Sequence, residues 1–244
     1  SVLHTAAKLR MHSQPRLAAL GNMPSSSSAM CISPVGIANA CNPRAAAAQA
    51  YGLAGLIHVH DVSFCQDGAA AMAAAVAEAF KPETSRDAVV EAAFGAMLPW
   101  SGEELRGLVA EIMEVALANV DYKGFRAEVY SRQTSFFRRI TCDSRETVPI
   151  TLALFWLADG DVEKCVTYGA NFGRDADTIA SMAGAIAGAF SGIDAIRSDW
   201  VEKALRLAAR DQEELARALV GTALAKMERE CESIETLRRL ARSQ

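Results

Sequence analysis

Three oxygen-bearing side chains, Asp175, Asp177 and Thr178, fall within four consecutive positions just past Gly173. Carboxylate and hydroxyl oxygens so close together suit a hard cation such as Mg²⁺, which prefers oxygen ligands. The same residues suit the start of a helix, where aspartate caps orphan N–H groups and complements the helix dipole. Taken alone, the triplet leaves both readings open.

The residues just after the triplet bear on the choice. Ile179 to Phe190 is small and apolar, and Gly184, Gly188 and Gly192 recur every four residues with Ala180 one step earlier. Period four places them on one helix face, where another backbone can approach closely. Such a helix belongs in the core, with the acids at its N-terminal end opening into a cavity. Carboxylates beside so apolar a helix need a partner, and a cation is the simplest one.

Other residues carry weaker signals. Ser25 to Ser28 come after Gly21-Asn22; hydroxyls such as Ser27 and Ser28, with nearby N–H groups, can cradle a phosphate or simply face water. His58, His60 and Asp61 could touch substrate, or satisfy the local backbone. Glu146 is a candidate for proton transfer and equally for capping the helix after it. Arg174, beside the triplet, could pair a phosphate bidentately or form a structural salt bridge. Arg126, Arg132, Arg138 and Arg139 read as a solvated face, and Trp156 and Trp200 as core. No G-x-S-x-G, P-loop or dinucleotide fingerprint occurs, which excludes those chemistries.

The elements that must position these residues are helices. With 51% hydrophobic and 22% charged residues the chain is an ordinary globular one, and its abundant alanine with only 7% aromatics favours close helix packing. Mean hydropathy is +0.10. Its 244 residues can bury one large core. A net charge of −4 argues against a nucleic-acid partner, which calls for a basic face. Six scattered cysteines without a C-x-x-C pair read as thiols of a reducing compartment, and the expected location is cytoplasmic. No apolar run approaches the roughly 20 residues of a membrane span.

The expected architecture is all-α, a single orthogonal helical domain over residues 1–244. An amphipathic helix opens the chain and Leu20–Ser28 is a loop. Asn42-Pro-Arg44 starts a helix reaching Tyr51. Further helices are expected over Asp67–Phe80, Arg86–Met97, Ser101–Asn119 from a Ser-Gly-Glu-Glu capping box, and Arg126–Arg139. Later ones cover Glu146–Ala158, Val162–Asn171, Thr178–Phe190, Asp199–Ala208 and Asp211–Arg229.

The stretch Gly173-Arg-Asp-Ala-Asp-Thr-Ile-Ala-Ser-Met-Ala-Gly-Ala-Ile-Ala-Gly-Ala-Phe-Ser-Gly192 resembles the C-terminal signature of the ADP-ribosylglycohydrolases, G-x-D-x-D-T-[IV]-A-x-x-x-G-A-x-x-G-A-x-x-G. Upstream, Glu146-Thr-Val-Pro149, Ser33-Pro-Val-Gly36 and Ile57-His-Val-His60 resemble further family segments, as does Ala195-Ile-Arg-Ser-Asp-Trp200 downstream. The resemblance implies an all-α fold with a two-Mg²⁺ centre that orients a ribose while water attacks its anomeric carbon. It implies Asp175, Asp177 and Thr178 as metal ligands, Asp175 and Glu146 as catalytic candidates, and Ser27, Ser28, His58 and Arg174 as substrate-binding candidates. The implied partner is an ADP-ribosylated protein or a small ribosyl substrate.

Three departures qualify this. The family's Thr-Asp-Asp run and its G-D-x-x-G acid are not found in the chain, so it is expected to supply half of a binuclear site, the family's N-terminal segment being absent. Arg174 stands where the family has glycine. Met30-Cys31 stands for the family's Met-Arg, and a thiol cannot pair a pyrophosphate. A small riboside or phosphoriboside hydrolase, or a catalytically silent ribosyl-ligand or protein-binding member, are the alternatives.

Overall fold

The computed structural model of the protein describes residues 1–119 and 121–242. Among the described residues there are fourteen α-helices and no strand, and 74% of these residues are helical, the all-α class expected. The helices are α1 (Val2–Arg10), α2 (Ser27–Met30), α3 (Ser33–Ala38), α4 (Pro43–Ala54), α5 (Phe64–Ala79), α6 (Arg86–Ala96) and α7 (Glu103–Ala118). They continue with α8 (Tyr122–Ser131), α9 (Gln133–Phe136), α10 (Ser144–Leu157), α11 (Val162–Phe172), α12 (Ala176–Ser191), α13 (Ser198–Leu207) and α14 (Gln212–Arg242). The chain divides into two compact units, Ser1–Arg197 and Ser198–Gln244.

Helix α5 is the axis of the larger unit. Every residue from Cys65 to Ala79 is buried, because a helix rich in alanine is thin enough to be packed from all sides. Helices α2, α3, α4, α6, α10 and α12 all pack on it. At Gly36 of α3 a Cβ would lie 2.7 Å from Val76 Cβ and 2.9 Å from the Ala73 carbonyl, so only glycine fits that crossing. Two polar side chains of α5 reach neighbouring backbone: Gln66 donates to the Tyr51 carbonyl at 3.0 Å and Asp67 Oδ1 accepts from Leu98 N–H at 2.8 Å, while Asp67 Oδ2 is buried without a hydrogen-bond partner. A second apolar cluster joins α7, α8, α10, α11 and α12 through Ile112, Phe125, Ile150, Phe172 and Ile179. Each such buried side chain contributes about 1.5–3 kcal/mol.

Local chemistry sets five of the helix starts. Asn42, Ser85, Asp121, Asp143 and Asp161 each precede a helix and accept a hydrogen bond from its first turn. Three expectations need correcting. The box at Ser101 does not form: Gly102 is the residue before α7, and Ser101 lies 3.4 Å from the Tyr51 hydroxyl. The helix expected over Arg126–Arg139 begins earlier, at Tyr122 behind the Asp121 cap, and breaks at Arg132 into α8 and α9. The last helix runs on past Arg229 to Arg242.

The glycine face of α12 also differs from expectation. The close approach of α11 and α12 is made by Gly169, where a Cβ would sit 2.5 Å from Ala180 Cα. Gly184 meets only Val166 at 3.1 Å, and Gly188 and Gly192 have nothing within 4 Å.

Candidate metal centre

The turn between α11 and α12 sets the site. A helix C-terminus leaves carbonyls without partners, and that of Phe172 accepts from Arg126 Nε at 3.0 Å and the Tyr130 hydroxyl at 2.8 Å. Gly173 then adopts φ 93°, and a Cβ there would fall 2.5 Å from the Tyr130 oxygen. Glycine is therefore required twice over, by conformation and by space. Arg174 is also left-handed, at φ 62°, and Asp175 precedes the first turn of α12.

Asp175 occupies an N-cap position but makes no cap bond to its helix. Its carboxylate meets hydroxyls rather than a backbone N–H: Ser26 Oγ donates to it at 3.4 Å, and the hydroxyl of Thr178, on the first turn of the same helix, is a further partner. Burial raises the Asp175 carboxyl above the ordinary carboxylate range and the Asp177 charge adds to that, while the Thr178 and Ser26 hydroxyls pull it back. Asp177 is exposed; Thr178 is buried, with its Oγ1 4.0 Å from Met30 Sδ of α2. A carboxylate and two hydroxyls thus meet where α12 approaches the serine loop, with the exposed Asp177 close enough for its charge to be felt at Asp175.

That loop is held from below. His58 is fully buried, with Nε2 3.0 Å from Ser25 Oγ and Nδ1 2.9 Å from Ser28 Oγ. Burial pushes the imidazole pKa down to about 4, with Asp143 drawing it weakly the other way. Ser28, also buried, donates to the Cys65 carbonyl at 3.2 Å. Ser144 donates to the Ser25 carbonyl at 2.9 Å, and Ser26 N–H to the Cys142 carbonyl at 2.6 Å. Of the residues expected to touch substrate, Ser28 and His58 are therefore enclosed pins of the loop, while Ser27 is half-buried and accepts from Ser25 at 2.9 Å. Ser26, which reaches Asp175, carries no mark of that role in the sequence; it is indistinguishable there from its three neighbours.

Glu146 and Arg174 are brought together. Arg174 donates from Nε to Oε1 at 2.6 Å and from Nη2 to Oε2 at 2.8 Å, and Arg138 N–H adds a bond to Oε2 at 2.7 Å. The Glu146 side chain is wholly out of solvent. Its carboxylate is spent on this pair, which disagrees with the expectation of a free proton-transfer group. The guanidinium of Arg174 is likewise committed to protein, since Nη2 also donates to the Arg138 carbonyl at 2.6 Å and the group lies 4.7 Å over the Phe137 ring. Of the two readings of Arg174, the geometry realises the salt bridge.

The donor set of Asp175, Thr178, Ser26 and Asp177 is all oxygen, as a hard divalent cation prefers. A cation there would relieve the burial and like-charge cost that Asp175 carries. Among the described residues no group of three or more His, Cys, Asp or Glu side chains is close enough to hold a metal. The residues fit a divalent ion as part of its ligand shell.

Comparison with known proteins bears on this geometry. The sequence profile of the family described as ADP-ribosylglycohydrolase matches residues 1–230. A protein of Escherichia coli strain K12 named YegU, described as uncharacterized, is 49% identical over 51 residues. That stretch covers 21% of this chain and only 15% of the length of the relative. A profile match that takes in the α12 start, the serine loop and nearly all the helices shows that the chain belongs to the ADP-ribosylglycohydrolase family.

Proposed function

We propose that the protein is a divalent-metal-dependent glycosidase that hydrolyses ribosyl glycosidic bonds, with ADP-ribosylated protein or a related ribosyl compound as substrate. The observation that carries this is Asp175: an aspartate at a helix start that makes no bond to a backbone N–H of its helix and meets the hydroxyls of Thr178, on the same first turn, and Ser26, from the serine loop. The family typically uses divalent metals. Asp175, Asp177 and Thr178 are the ligands this chain would supply to Mg²⁺, two ions being expected in a complete site. When bound, the cation would fix sugar hydroxyls and acidify a water.

The rest of the chemistry falls to this chain's own residues. Asp175, held partly out of water, is the group best placed to accept a proton. Ser26 donates to the Asp175 carboxylate from the serine loop at 3.4 Å. Ser27, the half-buried hydroxyl of the loop, is the residue we assign to substrate contact, with His58 and Ser28 fixing the loop beneath it. Arg174 and Glu146 hold the turn. No helix among the described residues is long and apolar enough to cross a membrane, and a cytoplasmic, reducing setting accords with six free thiols.

A second reading within the same chemistry is favoured by Cys31. It is exposed, its thiol is directed at the Ser28 carbonyl at 3.5 Å, and it offers no positive charge to a pyrophosphate. That favours a small riboside or phosphoriboside over a full ADP-ribosyl group. Release of free ribose compounds from a panel of ADP-ribosylated proteins, ADP-ribosides and simple ribosides tests both. Turnover should require Mg²⁺, stop with chelator, and vanish in Asp177→Ala with the circular dichroism unchanged. Chelator-resistant turnover, or none on any substrate, would remove the proposal.

A further inference from the structure

Ser26 and Asp175 meet across 149 positions of sequence, and each lies one residue from an anchor on the first turn of α10. Ser144 holds the Ser25 carbonyl at 2.9 Å; Glu146 holds Arg174 through two bonds of 2.6 and 2.8 Å. Both anchors are buried, and α10 itself is buried from Ser144 to Phe155 with only Arg145 excepted. One rigid helical turn therefore sets the register between the two halves of the site.

The Arg174 end carries strain. A non-glycine residue at φ 62° persists only where its surroundings over-determine it. Here they do: the bidentate fork on Glu146, a third bond to the Arg138 carbonyl and the Phe137 ring leave the side chain little freedom. Gly173 before it is fixed against Tyr130, so the backbone enters Asp175 in one direction. Resting on the metal reading of the α12 start, we propose that the Arg174–Glu146 pair is a positioning device that aims Asp175 and so sets the affinity of the site for a divalent cation. Outer partners that orient ligands characteristically change metal affinity by about 10- to 100-fold when removed.

Removing one partner alone would leave a buried charge and endanger the fold. The test therefore uses the double variant Arg174→Met with Glu146→Gln, which keeps volume and leaves the net local charge unchanged. Mn²⁺ binding, followed by the loss of the free-ion electron paramagnetic resonance signal, is compared with wild type. Thermal unfolding and circular dichroism run in parallel. The expected result is a folded double variant with affinity weaker by about tenfold or more, and an intermediate loss in Arg174→Lys, which keeps the charge but not the fork. A folded double variant that binds Mn²⁺ as tightly as wild type overturns the positioning role while leaving the site standing. A wild-type chain that takes up no Mn²⁺ removes the metal reading and this inference with it.

Discussion

At the residue scale, Asp175 forgoes a bond that five comparable positions in this chain make. Asn42, Ser85, Asp121, Asp143 and Asp161 all cap their helices, whereas Asp175, like the N-cap serines Ser26 and Ser63, does not; its carboxylate meets the Ser26 hydroxyl at 3.4 Å. A carboxylate held for binding costs stability when its ligand is absent. Asp175→Asn should therefore be as stable as wild type in metal-free buffer, or more stable by up to about 1 kcal/mol, while losing activity; denaturant titration with a parallel assay checks both halves. His58 gives a pH prediction. Its folded pKa, about 4, lies below the ordinary 6.5, so between those values the unfolded chain takes up the proton first. The stabilisation is complete above pH 6.5 and is lost as pH falls toward 4, a change of roughly 3 kcal/mol. In His58→Gln the fall in unfolding free energy across that window should shrink by most of this amount. An unchanged slope would contradict the burial argument. The Asp175–Thr178 triplet could be seen in the sequence because its members are local. The part of Ser26 could not, since nothing in a run of four serines tells which one meets a residue 149 positions away.

At the scale of elements, the helices were legible where apolar periodicity and a capping side chain agreed, as at Asn42 and Asp161. They were illegible where a distant group claims a backbone bond. Arg126 to Arg139 contains neither glycine nor proline, yet α9 stops at Phe136, where Phe137 turns extended against Tyr130 and Arg138 N–H is taken by the buried Glu146. The glycine face of α12 teaches the same lesson. Its period was visible, but which glycine is crowded depends on what the neighbouring helix brings: Gly169 on α11 meets the Ala180 backbone, whereas Gly188 meets open space. Gly169→Ala should therefore destabilise by about 1–3 kcal/mol through overpacking. Gly188→Ala should be neutral or stabilising by up to about 1 kcal/mol through helix propensity. Chemical denaturation of the two variants gives the comparison, and equal effects would refute the packing account.

At the scale of the whole molecule, every residue of the three buried apolar clusters lies within Ser1–Arg197, as do the serine loop, α10 and the α12 start. A chain ended after Arg197 should keep its helical circular dichroism and unfold in one cooperative transition; gradual melting would show that the remaining segment is needed for the core. The all-α class was legible from composition, since abundant alanine with few aromatics favours close helix packing. The most direct test of the central claim, that the α12 start is a divalent-metal site, is a crystal of the protein soaked in Mn²⁺ and measured at the manganese edge. An anomalous peak about 2 Å from Asp175 oxygens, with Thr178 and Asp177 as further ligands, is the predicted result. Density without a peak, and an Asp175 carboxylate turned back to cap its own helix, would contradict it.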